Sequence, residues 1–95
     1  MTVGSPFTSQ RMVFLRGHRG SVRDIQWNCE GKKLATAAAD KLIRVWNPER
    51  RIDPHYTTEL RGHTDAISGL TWDPADPDRL ASVGYDKLLC IWDTK

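Results

Sequence analysis

Four side chains able to do chemistry together occur twice in this sequence: His18, Thr36, Asp40 and Trp46, then His63, Ser82, Asp86 and Trp92. The order is the same in both sets, and the spacings agree to within one residue. Histidine, hydroxyl and carboxylate are the parts of a hydrolytic triad, in which imidazole takes the hydroxyl proton and the carboxylate orients the ring. Hydrolysis needs such a site once, with its nucleophile facing a cleft. A set that recurs, in runs that otherwise read as core strands, fits a structural network better. A buried carboxylate is costly unless paired, and imidazole, hydroxyl and indole N–H can satisfy it as a chain of hydrogen bonds. Each bond nets about 0.5–1.5 kcal/mol, whereas orphaning a buried partner costs about 1–3 kcal/mol. His63→Ala is therefore expected to destabilise by about 2–3 kcal/mol, and Asp86→Ala to destabilise as well, with no separable loss of catalysis.

The elements that must hold these sets repeat with them. "LRGHRGSVRDIQW" (Leu15 to Trp27) returns forty-five positions later as "LRGHTDAISGLTW" (Leu60 to Trp72). A period of this size points to propellers or solenoids, whose units cannot bury their own faces and so stack on neighbours. The opening run "RMVFL" (Arg11 to Leu15), then "SVRDIQW", "KKLATAAA" and "KLIRVW", are of strand length. The series restarts as "HYTTEL", "AISGLTW", "RLASVG" and "KLLCIW". Eight short strands are expected and no helix: Ala37 to Ala39 favour one by propensity, but turn residues box them in. Gly31 and Asp40 suit the intervening corners, and "NPERRIDP" (Asn47 to Pro54) reads as a surface loop. The organisation expected is a flexible N-terminus over 1–10, a first repeat with its loop over 11–54 and a second repeat over 55–95.

Composition bounds what this can be. Ninety-five residues, 39% hydrophobic and 27% charged, give one small globular unit with little spare core. Residues 1–59 carry ten Lys and Arg against six Asp and Glu, and residues 60–95 carry four against six, so +4 sits beside −2. That asymmetry can steer an acidic partner but falls short of a nucleic-acid binder's basic stripe. All four Trp residues sit at strand positions that read as core, which leaves no stacking aromatics for RNA. Cys29 and Cys90 have no CxxC partner and are expected to be buried thiols, consistent with a reducing compartment. No signal-peptide pattern and no bilayer-length apolar run is visible, so a soluble nuclear or cytoplasmic protein is expected. Phosphate loops and metal-ligand spacings are lacking, so no cofactor is expected, and His55, the one unduplicated histidine, lies beside Pro54 at a loop edge.

The runs "GH…W…LATAAADKLIRVWN" and "GH…WDP…LASVGYDKLLCIWD" together resemble two units of the WD-repeat family of β-propellers, over about Met12 to Asp93. Gly17-His18, Gly62-His63 and Trp92-Asp93 match its signature, and Trp46-Asn47 departs only in the last letter. The resemblance implies an all-β chain of two blades of four antiparallel strands each, staggered so that the strand before Gly-His is outermost in the preceding blade. Two blades make a quarter to a third of a ring of six to eight, and at least three repeats are usually needed for stability. The expectation is self-association into a ring of three or four chains, one chain's first strand completing the last blade of the next.

The family's commonest role implies a non-enzymatic platform for proteins or peptides. Its binding rim, carried over by position, falls on Ser21, Arg23 and Ala39 in the first unit and on Ala66, Ser68 and Tyr85 in the second. "WNCEGKKLA" with "RGHTDAISGLTWDPADPDRLAS" is similar to the first two blades of WD-repeat subunits of nuclear mRNP assembly and mRNA export, which implies RNA contact that is indirect or through Arg19, Arg50 and Arg51. An adaptor or ubiquitin-ligase substrate receptor is the alternative, weakened because Glu49 stands where such receptors carry Arg. The other alternative is a truncated propeller fragment without a function of its own.

Overall fold

The computed structural model describes residues 12, 14–48 and 57–95. Seven strands form among them, each on a β-branched, aromatic or aliphatic run ended by turn residues. The strands β1 (Val22–Trp27), β2 (Leu34–Ala38), β3 (Leu42–Trp46) and β4 (Thr58–Arg61) make one antiparallel sheet in that order. The strands β5 (Ile67–Trp72), β6 (Arg79–Gly84) and β7 (Leu89–Asp93) make a second. The corner between β1 and β2 is built on Asn28, whose Oδ1 accepts the N–H groups of Lys32 and Lys33 at 3.0 and 3.1 Å, and on Gly31 at φ +69°, a conformation glycine adopts without penalty. The β2–β3 and β6–β7 corners place lysine there instead, Lys41 at φ 73° and Lys87 at φ 68°. In each, the preceding aspartate accepts the N–H of the residue after the lysine.

The sheets pack face to face. From the first come Ala35, Ala37, Ile43, Val45 and Leu60; from the second come Ile67, Leu70, Trp72 and Leu80, with Trp92 against them. The two alanines of β2 keep its surface low, so that β5 lies over β1 and β2. Polar contacts fix the alignment of the two sheets. Asp24 Oδ2 accepts the N–H of Leu70 at 2.8 Å, and Trp72 Nε1–H donates to the Gln26 carbonyl at 2.8 Å. Asn28 Nδ2–H donates to the Pro77 carbonyl at 3.1 Å, and Lys33 Nζ pairs with Asp78 at 2.6 Å.

Several expectations need correction. The second sheet has three strands among the described residues, not four, because β4, which precedes the second Gly-His, pairs with β3. That is the implied stagger, and it leaves β7 as an edge. Of the expected opening strand, Met12, Phe14 and Leu15 are described and are not in a strand; Arg11 and Val13 lie outside the described residues, as do the terminus over 1–10, Glu49, Arg50, Arg51 and His55. Cys29 is exposed, because it occupies the corner after β1 and not a strand, and Cys90 is only partly buried because β7 is an edge. Trp27 is 46% exposed while Trp72 is 8% exposed: the same position in each repeat, with a sheet packed over only one of them.

Candidate functional site

Each histidine lies in the segment leading into its sheet and reaches the second strand of its repeat, β2 or β6, and the turn that follows that strand. His18 Nδ1–H donates to Asp40 Oδ2 at 3.0 Å, the Thr36 hydroxyl bonds His18 Nε2 at 2.7 Å, and Trp46 Nε1–H donates to Thr36 Oγ1 at 2.8 Å. The second set repeats this with His63 to Asp86 at 2.9 Å, Ser82 to His63 at 2.7 Å and Trp92 to Ser82 at 2.8 Å. The structure thus brings all eight residues together as two sets of four. An indole can only donate and a carboxylate only accept, so the chain has one direction: indole to hydroxyl, hydroxyl to Nε2, Nδ1–H to carboxylate. Every polar side-chain atom in it has a partner.

The carboxylates also tie the backbone. Asp40 accepts from the N–H of Arg19 at 2.9 Å and Asp86 from that of Thr64 at 2.9 Å, so each holds its histidine ring and the backbone of the residue that follows it. Burial pushes the Asp40 carboxyl up, but the N–H of Arg19, the His18 ring and the N–H of Leu42 outweigh it and hold Asp40 below the usual carboxylate range. At Asp86 burial again opposes, and the N–H groups of Thr64 and Leu88 with His63 again prevail. Gly62 makes room for this packing: a Cβ there would stand 2.8 Å from Trp92 Cη2. No nucleophile is displayed by either arrangement, because both hydroxyls are buried between a donor and an acceptor. Among the described residues, no three His, Cys, Asp or Glu side chains gather as a metal cluster.

The six rim positions fall in two local groups. A backbone bond joins Ala39 N–H to the Ser21 carbonyl, and its counterpart joins Tyr85 N–H to the Ala66 carbonyl, both at 2.9 Å. The ladder between β1 and β2 slips between Val22 and Asp24, and that between β5 and β6 slips between Ile67 and Gly69, which puts Arg23 and Ser68 at irregularities where a strand re-aims its side chain. Arg23 is exposed, Tyr85 is 60% exposed, and Ser68 Oγ–H donates to the Val83 carbonyl at 3.2 Å. Arg19, one of the proposed RNA contacts, is also exposed.

Residues that the reading from sequence missed are those in which the repeats differ. Arg44, the counterpart of Cys90, is buried, donates to Thr57 Oγ1 and Glu59 Oε1 at 2.8 Å each, and lies 5.9 Å over the Trp46 ring. Asp24, which joins the sheets, has Gly69 as its counterpart. Mismatch between otherwise matched positions was the available signal.

The family described as "WD domain, G-beta repeat" matches residues 9–47 and 54–93. THO complex subunit 3 of Arabidopsis thaliana is 37% identical over 95 residues, covering 95% of this chain and 29% of that protein. Coronin-2A of Homo sapiens is 35% identical over 86 residues, 83% of this chain and 16% of its own length. A SEC13 homolog of Dictyostelium discoideum is 34% identical over 77 residues, 80% of this chain and 25% of its own. The chain thus spans less than a third of each of these relatives.

Proposed function

The chain belongs to the WD-repeat family, and from that premise we propose that it is a non-enzymatic scaffold whose working surface is the rim of Ser21, Arg23, Ala39, Ala66, Ser68 and Tyr85. One observation carries this reading: both His–hydroxyl–carboxylate sets are closed networks with no group left to react, while Arg23 and Tyr85 stand exposed beside them. Arg and Tyr are residue types that dominate binding energy at protein interfaces. The His and Asp beneath them pin the loops that present this rim, so the network supports binding without touching the partner.

A role in nuclear mRNP assembly and mRNA export is the narrower proposal, supported by the likeness to THO complex subunit 3 across nearly the whole chain. An adaptor in a different nuclear or cytoplasmic assembly is the second reading, supported by comparable identity to coronin-2A and a SEC13 homolog. The test is a pull-down from the cell's own extract with the wild-type chain and with Arg23→Ala/Tyr85→Ala. Both residues are exposed, so the double variant is expected to melt as the wild type does while losing the captured proteins. Export-complex proteins among those lost support the narrower reading, and proteins of another assembly the second. A captured set indifferent to the double substitution defeats the rim proposal.

A further inference from the structure

The first sheet carries a charged set that the second does not repeat. Arg44 on β3 stands opposite Glu59 on β4, and Arg61, two residues further along β4, shares their face. Together with Arg19 and Asp40 they line a cavity of about 310 Å³, where the start of β3 and the end of β4 meet the segment that carries His18. The counterparts of Arg19, Arg44 and Glu59 are Thr64, Cys90 and Phe14, none of them charged; only Arg61 has a charged counterpart, Arg16. The histidine networks recur because each sheet uses one to hold its own strands. A charged cavity that occurs once answers to something other than the repeat.

Cations are in excess around it. Glu59 is shared between Arg44 at 2.8 Å and Arg61 at 2.5 Å, and Asp40 is taken up by His18 and by the N–H groups of Arg19 and Leu42. The Arg19 guanidinium makes no ion pair among the described residues. Arg44 is 9% exposed at its side chain, yet its Nε–H has no acceptor among the described residues, a costly state for a charged donor. Gly17 lets the incoming segment lie against that guanidinium, since a Cβ there would stand 2.9 Å from Nε and 2.8 Å from Cζ. Arg19 and Arg61, both exposed, add two further guanidinium groups at the open side.

We infer that this cavity binds a phosphomonoester, presented as a phosphorylated side chain on a segment of a partner protein. A phosphoryl group carries about −1.5 to −2 charges at pH 7 and three acceptor oxygens, and guanidinium groups meet such oxygens with paired, charge-assisted hydrogen bonds. A carboxylate has less to gain. Glu59 already supplies one from within the chain, and a second must displace it on equal chemical terms. A nucleic-acid strand distributes its charge differently: its phosphates run along a backbone and call for a basic stripe with aromatic rings between. Here the cations surround one pocket, two carboxylates stand in its wall, and no aromatic side chain lines it. None of these residues belongs to the six of the rim, so the site goes beyond the scaffold reading and the two surfaces stand or fall separately.

The test is a titration of the isotope-labelled chain, read through the Nε–H signals of its arginines by nuclear magnetic resonance. The probes are a short peptide with one central phosphoserine, the same peptide with glutamate or plain serine in that place, and a short uridine RNA. The phosphoserine peptide is expected to move the Arg44 signal saturably, and the serine peptide to leave it in place. Arg19→Gln/Arg61→Gln alters two exposed side chains and keeps most of each stem, so it is expected to melt as the wild type does while binding the phosphoserine peptide about tenfold more weakly or worse. No saturable shift, an equal response to the glutamate peptide, or tighter binding of the RNA overturns the inference. So does phosphopeptide binding that survives Arg19→Gln/Arg61→Gln and is lost in Arg23→Ala, which would put the anion on the rim.

Discussion

The two sheets carry the same network and differ in what lies against it. His63 and Asp86 are 0% and 4% exposed at their side chains, on a face sealed by the first sheet; His18 and Asp40 are 7% and 9% exposed, on a face over which no sheet packs among the described residues. The tryptophans that end β1 and β5 differ far more. The lesson is that a repeat specifies its internal hydrogen bonds locally, whereas the burial of its apolar face belongs to its neighbour. Local order survives in the first repeat without a covering sheet because the hydrogen-bond chain needs only its own strands.

Four measurements can break or sharpen that comparison. The largest contrast is expected at the tryptophans: Trp72→Ala should lower stability by about 3–5 kcal/mol in urea titrations at every protein concentration, as large-to-small core changes do. Trp27→Ala should cost far less in the same titrations, because that side chain is 46% exposed. Equal, concentration-independent losses would mean that both positions are core in the single chain. Next, His63→Ala should destabilise by about 2–3 kcal/mol and His18→Ala by about 1–2 kcal/mol, because the orphaned Asp40 is the more accessible to water.

The third contrast is in acid. Asp40 and Asp86 both have folded-state values below the usual carboxylate range, so the unfolded chain takes up its protons first as pH falls past about 3.9. Their stabilisation is complete above that range and is lost as pH drops through the folded values. Thermal melts should fall steeply there, and Asp86→Asn should flatten the acid limb from a lower starting stability. An unchanged limb in that variant would assign the acid sensitivity elsewhere. The smallest effect is expected at Lys33→Ala, which removes a partly exposed ion pair with Asp78 and should cost less than about 1 kcal/mol, read from urea midpoints.

What sequence alone revealed follows the same divide. The strand spans, the corners at Gly31 and Asp40 and the pairing of each His with its hydroxyl and carboxylate are local or recur at one period, and two copies of the pattern reinforce each other. Trp27 and Cys29 were misread because hydrophobic character says that a side chain should be covered and not whether anything covers it. The stitching by Asp24, Asn28 and Lys33 was invisible because it joins positions about forty-five residues apart whose types do not repeat. Arg44 and Glu59 were not legible as a pair, since only the register of β4 on β3 reveals that they are partners.

Lys41 and Lys87 occupy a left-handed backbone that disfavours any residue with a Cβ by about 1–2 kcal/mol. The carboxylate that anchors each imidazole also clasps this corner, so one proton gained at Asp40 or Asp86 releases a ring and a bend together. Glycine at 41 and 87 would uncouple them, leaving hairpins that keep their shape after the histidines have let go.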